Sequence, residues 1–204
     1  MSFDNRRLGR HEAPQQPRGR IRWRRFALVA VPAGVIAALL AALTAKGAIA
    51  SSISVSGQEY TVTASTLSGQ GFEQFGGTVN QGNGSKPVIV SAIHNAQLYN
   101  LCQSVRVGPL TLRLTAGGGG NPARANNLIV DASGQTGSVA TFQNIAIGQD
   151  AGTLTEDPGT AGTSGGFGQQ ATSITIQNLR QQTWLTTAGT FSLPGLSIGF
   201  GGSC

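Results

Sequence analysis

Leu110-Thr111-Leu112-Arg113-Leu114-Thr115-Ala116-Gly117-Gly118-Gly119-Gly120 decides the fold class. Leucine at every second position, separated by threonine and arginine, is the period-2 pattern of a strand with one buried face, and the glycines end it. The same texture extends in both directions. Upstream, Pro87 to Val107 is the most apolar part of the C-terminal portion, with Val88-Ile89-Val90, Ile93, Leu98, Leu101, Cys102, Val105 and Val107. Further upstream, Ile53 and Val55 alternate with serine, and Tyr60 and Val62 with threonine. Downstream, strands are predicted at Asn127–Ala132, Val139–Ile147, Ser173–Leu179, Thr183–Thr187 and Leu196–Phe200. Two stretches poor in aliphatics read as loops: Gly69–Lys86, with room for one irregular strand, and Gly148–Gly168. No stretch after Ala50 sustains helical periodicity, so residues 51–204 are predicted to be all-β.

One regularity suggests an architecture. The pattern apolar–x–Asn–apolar recurs at Ile93-His94-Asn95-Ala96, Leu98-Tyr99-Asn100-Leu101, Phe142-Gln143-Asn144-Ile145 and Ile176-Gln177-Asn178-Leu179. In a solenoid, asparagine turns the corner of each coil while its neighbours point into a narrow core. The irregular spacing argues for an irregular β-helix at best. A β-sandwich is the alternative.

The N-terminal portion is different in kind. Phe26–Ala45 is a run of 20 residues without a charge, preceded by Arg24 and Arg25 and followed by Lys46. At about 1.5 Å per residue it is long enough, as a helix, to cross a bilayer of about 30 Å. Residues 1–25 hold eight arginines against Asp4 and Glu12, which accounts for the whole net charge of +6, and residues 26–204 are balanced. That distribution matches a disordered cytoplasmic segment obeying the positive-inside rule. It also excludes a nucleic-acid surface on the folded part, which has no basic excess to neutralise phosphates. The expected organisation is a basic tail (1–25), a transmembrane or signal segment (26–50) and an extracytoplasmic domain (51–204). Length favours a retained anchor in the cell membrane. Ala48-Ile49-Ala50 before Ser51 is a small-x-small cleavage site and would instead release a secreted domain.

The two cysteines are Cys102 and Cys204. In an oxidising exterior an even count favours a disulfide between them, the alternative being a buried Cys102 and a free Cys204.

Five stretches carry a family resemblance: Arg22-Trp23-Arg24-Arg25-Phe26, Asn100-Leu101-Cys102-Gln103-Ser104, Leu114–Gly120, Ile145-Ala146-Ile147-Gly148-Gln149-Asp150 and Thr187-Ala188-Gly189-Thr190-Phe191. Together they resemble a family of exported actinobacterial proteins of uncharacterised function, often labelled cholesterol esterase. The resemblance implies a basic N-terminus, one membrane-spanning or signal segment and a β-rich exterior. It brings no catalytic residues with it.

The esterase label can be tested against the residues. Gly162-Thr163-Ser164-Gly165-Gly166 fits the G-x-S-x-G string, but the nucleophile elbow needs a strand before the serine and a helix after it. His94 is the one histidine beyond the tail and precedes Ser164, the reverse of the hydrolase order. Asp131 or Asp150 would have to serve as the acid. Asp150 and Glu156-Asp157 lack the acidic spacing of a calcium loop, and no lysine–serine pair follows the tetraglycine to make a phosphate cradle. No metal or cofactor is expected. The reading is a non-enzymatic surface, assembly or binding protein of the cell envelope. The alternatives are a lipid-ester hydrolase using Ser164 and His94, and a lipid or sterol binding module.

Overall fold

The computed structural model describes residues 57–81 and 84–204. The basic tail, the apolar segment 26–50, the cleavage position at Ala50–Ser51 and the strand at Ile53–Val55 lie outside the described residues.

The described residues form ten strands: β1 (Tyr60–Gln81), β2 (Gly84–Tyr99), β3 (Leu101–Val107), β4 (Leu110–Ala116), β5 (Ala123–Thr136), β6 (Val139–Gln143), β7 (Ala146–Asp150), β8 (Phe167–Thr187), β9 (Thr190–Ser192) and β10 (Ser197–Phe200). A short 3₁₀ turn, Ala151–Thr153, opens the loop between β7 and β8. All ten strands belong to one sheet in the order β10-β4-β3-β1-β2-β5-β8-β6, with β7 also on β8, β9 on β5, and an added pairing of β1 with β8. Every pairing is antiparallel. The β-helix expectation is thereby overturned, since solenoid coils stack in parallel. The sandwich alternative also gives way, because one continuous sheet replaces two. β1 and β8, 22 and 21 residues long, meet different partners along their length. The sheet therefore bends over its own inner face without becoming a closed barrel.

That inner face holds the core. Leu67, Phe72, Ile93, Leu98, Leu101, Leu128, Ile174, Ile176 and Leu179 are buried there, with Ala96, Ala123, Ala125, Ala132 and Ala171 among them. The alanines let the folded-over strands approach closely while the larger residues fill the space, as close packing demands. The stretch Gly69–Lys86, expected to be a loop, is instead the far half of β1 and the start of β2. Its apolar residues Phe72, Phe75 and Val79 are buried, and so is Glu73 among them, while Gln74 and Asn80 are partly exposed and Thr78 is exposed.

Asn127 and Asn178 interrupt β5 and β8 without ending them, while Asn100 stands at the junction of β2 and β3 and Asn144 follows the last residue of β6. Asn100, Asn127, Asn144 and Asn178 all have φ of 50–52°, in the left-handed region that asparagine tolerates better than most residues. One residue in that conformation shifts the strand phase by one. Apolar residues three apart, such as Ile176 and Leu179 or Leu98 and Leu101, are thus both buried. Three of these asparagines share a clamp. Asn178 Nδ2 donates to Ser138 Oγ (3.0 Å), which donates to Gln177 O (3.3 Å). Asn144 Nδ2 donates to Thr172 Oγ1 (3.1 Å), which donates to Gln143 O (3.0 Å). Asn100 Nδ2 donates to Ser65 Oγ (2.9 Å), which donates to Tyr99 O (3.1 Å).

The interruptions line up from strand to strand. Pairing skips Ser65 opposite Asn178, Gly71 opposite both His94 and Thr172, and His94 opposite Asn127. These positions crease the sheet along two lines, which is how long strands bend around a small core.

Near the C-terminus, Cys102 on β3 and Cys204 stand at disulfide distance, with S–S 1.99 Å and Cα–Cα 5.8 Å. Cys204 N–H donates to Ser104 Oγ (3.1 Å), and Arg180 Nη1 donates to Cys204 O (2.9 Å).

Candidate functional site

Two places on the sheet gather polar chemistry. The first is where the loop 151–166 lies against the far half of β1. Phe75, Ala151 and Leu154 make a small second core there. Gly71 has φ +66°, and a Cβ at this position would lie 2.5 Å from Glu156 O, so only glycine lets the loop backbone come this close. Above this contact, Asp157 is 2% exposed and Glu73 is fully buried. Glu73 Oε1 accepts the Asp157 N–H at 2.7 Å. Asp157 Oδ2 accepts from Thr160 Oγ1 at 3.0 Å, and its Oδ1 lies 3.3 Å from His94 Nδ1. That last contact is an ion-pair distance without hydrogen-bond geometry, and Glu73 Oε2 has no hydrogen-bond partner. Burial pushes the Glu73 carboxyl above its ordinary range. The negative Asp157 and Glu156 reinforce that, and N–H groups of the loop oppose it.

The residues singled out for ester hydrolysis are not assembled here. Ser164 sits exposed in a turn that leads into β8, a strand where a nucleophile elbow would have a helix. A Cβ on Gly152 would lie 2.5 Å from its Oγ, so the serine faces the 3₁₀ turn. Asp150 Oδ1 accepts from Gly152 N (2.8 Å) and Gly165 N (2.9 Å), holding the two ends of the loop together. Asp131 lies on β5, with its carboxyl pushed up by burial. No hydrogen bond joins Ser164 to His94 among the described residues. The partner of His94 is Asp157, 63 positions away, which no spacing rule would have paired with it.

The second place is the outer face of β1, β2 and β5. Ser68, Gln97 and Arg124 stand opposite one another in one row, and Gln70, Asn95 and Asn126 in the next. The rows continue onto β9 through Ser192 and Thr190, and onto β8 through Thr175 and Ser173. A polar cleft of about 420 Å³ opens over these two rows, lined by the six residues together with Gly69, Ala96 and Ala125 between them. Asn126 Nδ2 donates to Asn95 Oδ1 (2.6 Å) and Thr190 Oγ1 to Asn126 Oδ1 (2.9 Å), fixing part of the second row. By contrast, a void against the apolar core measures about 30 Å³, room for no more than a few waters.

Residues 56–204, which contain the whole of the described sheet, match a family of unknown function, DUF6230. The chain belongs to the DUF6230 family. No curated protein and no solved structure matches it. In this DUF6230 chain the matched region begins just before β1 and runs to Cys204, so both the clasp at Glu73–Asp157 and the polar cleft lie within the family's span.

Proposed function

We propose that this protein is a non-catalytic envelope module. An N-terminal apolar segment carries it to the membrane, and its β-sheet domain works outside the cytoplasm through its surface. The observation that supports this reading best is where the histidine and the acids stand. Glu73 on β1 and His94 on β2 hold Asp157 of the loop 151–166, and Asp150 closes that same loop, while Ser164 lies in a turn of it with no hydrogen bond to His94. A Ser–His–acid hydrolase needs serine, base and orienting acid linked by hydrogen bonds. The core void of about 30 Å³ is also far too small for a sterol, which speaks against an interior lipid site.

The experiment is hydrolysis of a chromogenic short-chain ester and of a cholesteryl ester by the purified full-length chain. The expected result is no turnover above buffer, unchanged in Ser164→Ala and His94→Ala. Turnover that both substitutions abolish would establish the lipid-ester hydrolase instead. Intact mass of the exported protein distinguishes a retained anchor, with the arginine-rich tail present, from release after Ala50.

A further inference from the structure

We infer that the polar cleft on the outer face of β1, β2 and β5 is a binding site for a neutral polysaccharide. This deepens the reading of the protein as a surface module by naming the partner its sheet would take.

Beside Gly69, Ala96 and Ala125, the cleft is lined by six polar side chains, Ser68, Gln70, Asn95, Gln97, Arg124 and Asn126. Three chemical features set them apart from an ordinary wet strand face. First, all six can hydrogen-bond, and four of the six end in carboxamides. A carboxamide presents a donor and an acceptor side by side, which complements sugar hydroxyls that are themselves donor and acceptor. Arg124 adds a planar fork of N–H donors suited to neighbouring hydroxyls. Second, the groups are partly pre-positioned. The Asn126 amide is held between Asn95 and Thr190, and Gln97 Oε1 accepts from Tyr99 Oη at 3.4 Å. The Gln70 amide and the remaining N–H groups of Asn95, Gln97 and Arg124 are left for a ligand, so less side-chain freedom is lost on binding.

Third, the geometry is that of a track. The rows run across the strands, so successive groups repeat at about 4.8 Å, the spacing between paired strands. Continued over β8, β1, β2, β5 and β9, the rows span about 20 Å, the reach of several linked sugars. The charge pattern chooses among polymers. Arg124 is the one charged side chain of the six, so an anionic polymer would find a single counter-charge, and nucleic acid even less than it needs. A cleft of about 420 Å³ lies within the range of small-ligand sites and fits a short stretch of chain.

The test is affinity electrophoresis of the full-length chain in detergent, in gels containing dextran, mannan, galactan, arabinan or a β-glucan. Alginate and polyglutamate serve as anionic comparisons. At least one neutral polysaccharide should retard migration. Gln97→Ala combined with Arg124→Ala should weaken that retardation at least tenfold, with an unchanged thermal melt. A second pair, Gln70→Ala with Asn95→Ala, should weaken it independently, while Gln182→Ala, on β8 away from the cleft, should not. No retardation by any neutral polysaccharide, retardation by the anionic polymers alone, or retardation indifferent to both pairs would overturn the proposal. Ester hydrolysis by the same preparation would refute the non-catalytic reading without touching this one.

Discussion

Glu73 Oε1 accepts the backbone N–H of Asp157 at 2.7 Å, joining the middle of β1 to a loop 84 positions away. The acceptor is fully buried, and its second oxygen has no partner, so its negative form is poorly solvated. The upward shift from 4.5 means that the folded chain keeps this proton at pH values where the unfolded chain has lost it. The resulting stability is complete below about 4.5 and is lost as pH rises through the folded value. Asp131, raised from 3.8 by burial, has the same sign. Glu73→Gln keeps an acceptor for Asp157 and removes the titration. Melting temperatures at fixed ionic strength should show wild type losing ground to Glu73→Gln as pH climbs from about 4 to 7. A constant difference between the two would show that the Glu73 carboxyl titrates alike in the folded and unfolded chain, and would overturn the upward shift.

The clamp at Asn178 and Ser138 joins two effects that substitutions can separate. Asn178→Gly keeps the left-handed backbone and loses only the side-chain bond, an expected cost of about 0.5–1.5 kcal/mol. Asn178→Ala loses the bond and also holds alanine at φ 51°, adding about 1–2 kcal/mol. Ser138→Ala removes both bonds of the relay. Combined with Asn178→Gly it should cost less than the sum of the two, because they share one interaction. Urea unfolding curves with unchanged m-values would measure all four.

These asparagines also show how far the sequence could be read. Alternation around Leu110–Ala116 marks a strand whatever its partners, although the leucine face is not buried: Leu110 is exposed and Leu112 and Leu114 are only partly covered. The apolar–x–Asn–apolar pattern was visible but pointed to solenoid corners. Its spacing of three between apolar residues signals a phase shift within a strand, and Ala125-Asn126-Asn127-Leu128 is a further instance, with Asn127 at φ 50°. Gly69–Lys86 read as a loop because its residues are small and polar. In the fold that suits it: Gly69 lies against Ile93, where a Cβ would come within 2.5 Å of the isoleucine side chain. The cleft was not legible, because Gln70, Asn95 and Asn126 become neighbours only through the register of three strands. Nor does any local signal place Asp157 beside His94.

Cys102 and Cys204, separated by 102 positions, tie the last residue to β3. A link closing a loop of that length removes unfolded-state entropy worth about 4–5 kcal/mol in the chain-entropy model. Cys102→Ser with Cys204→Ser, or wild type under reducing conditions, should melt well below the oxidised chain. The two losses should coincide. A reductant that leaves the melt of the oxidised protein unchanged would mean that β3 and its neighbours hold without the link.

Gly71 tests whether the loop 151–166 depends on one close backbone approach. It combines φ +66° with a carbonyl, Glu156 O, at 2.5 Å from where a Cβ would be, and His94 Cβ at 2.8 Å. Gly71→Ala is therefore strained in its own backbone and pushes the loop away from β1. The expected cost is about 1–3 kcal/mol. Gly76, on the same strand, has open space around its Cβ position and no left-handed backbone. Gly76→Ala should be neutral or stabilising by about 0.4–1 kcal/mol through the unfolded chain. Hydrogen exchange locates the effect. In Gly71→Ala the amides of Ala151, Gly162 and Gly166, which bond within the loop, should exchange faster, because Glu73 and His94 no longer hold Asp157 in place. The amide of Asn100, bonded to Gly117 O on the other crease, should keep its protection relative to the global stability. Equal acceleration at both creases would mean that the loop and the sheet unfold as one unit.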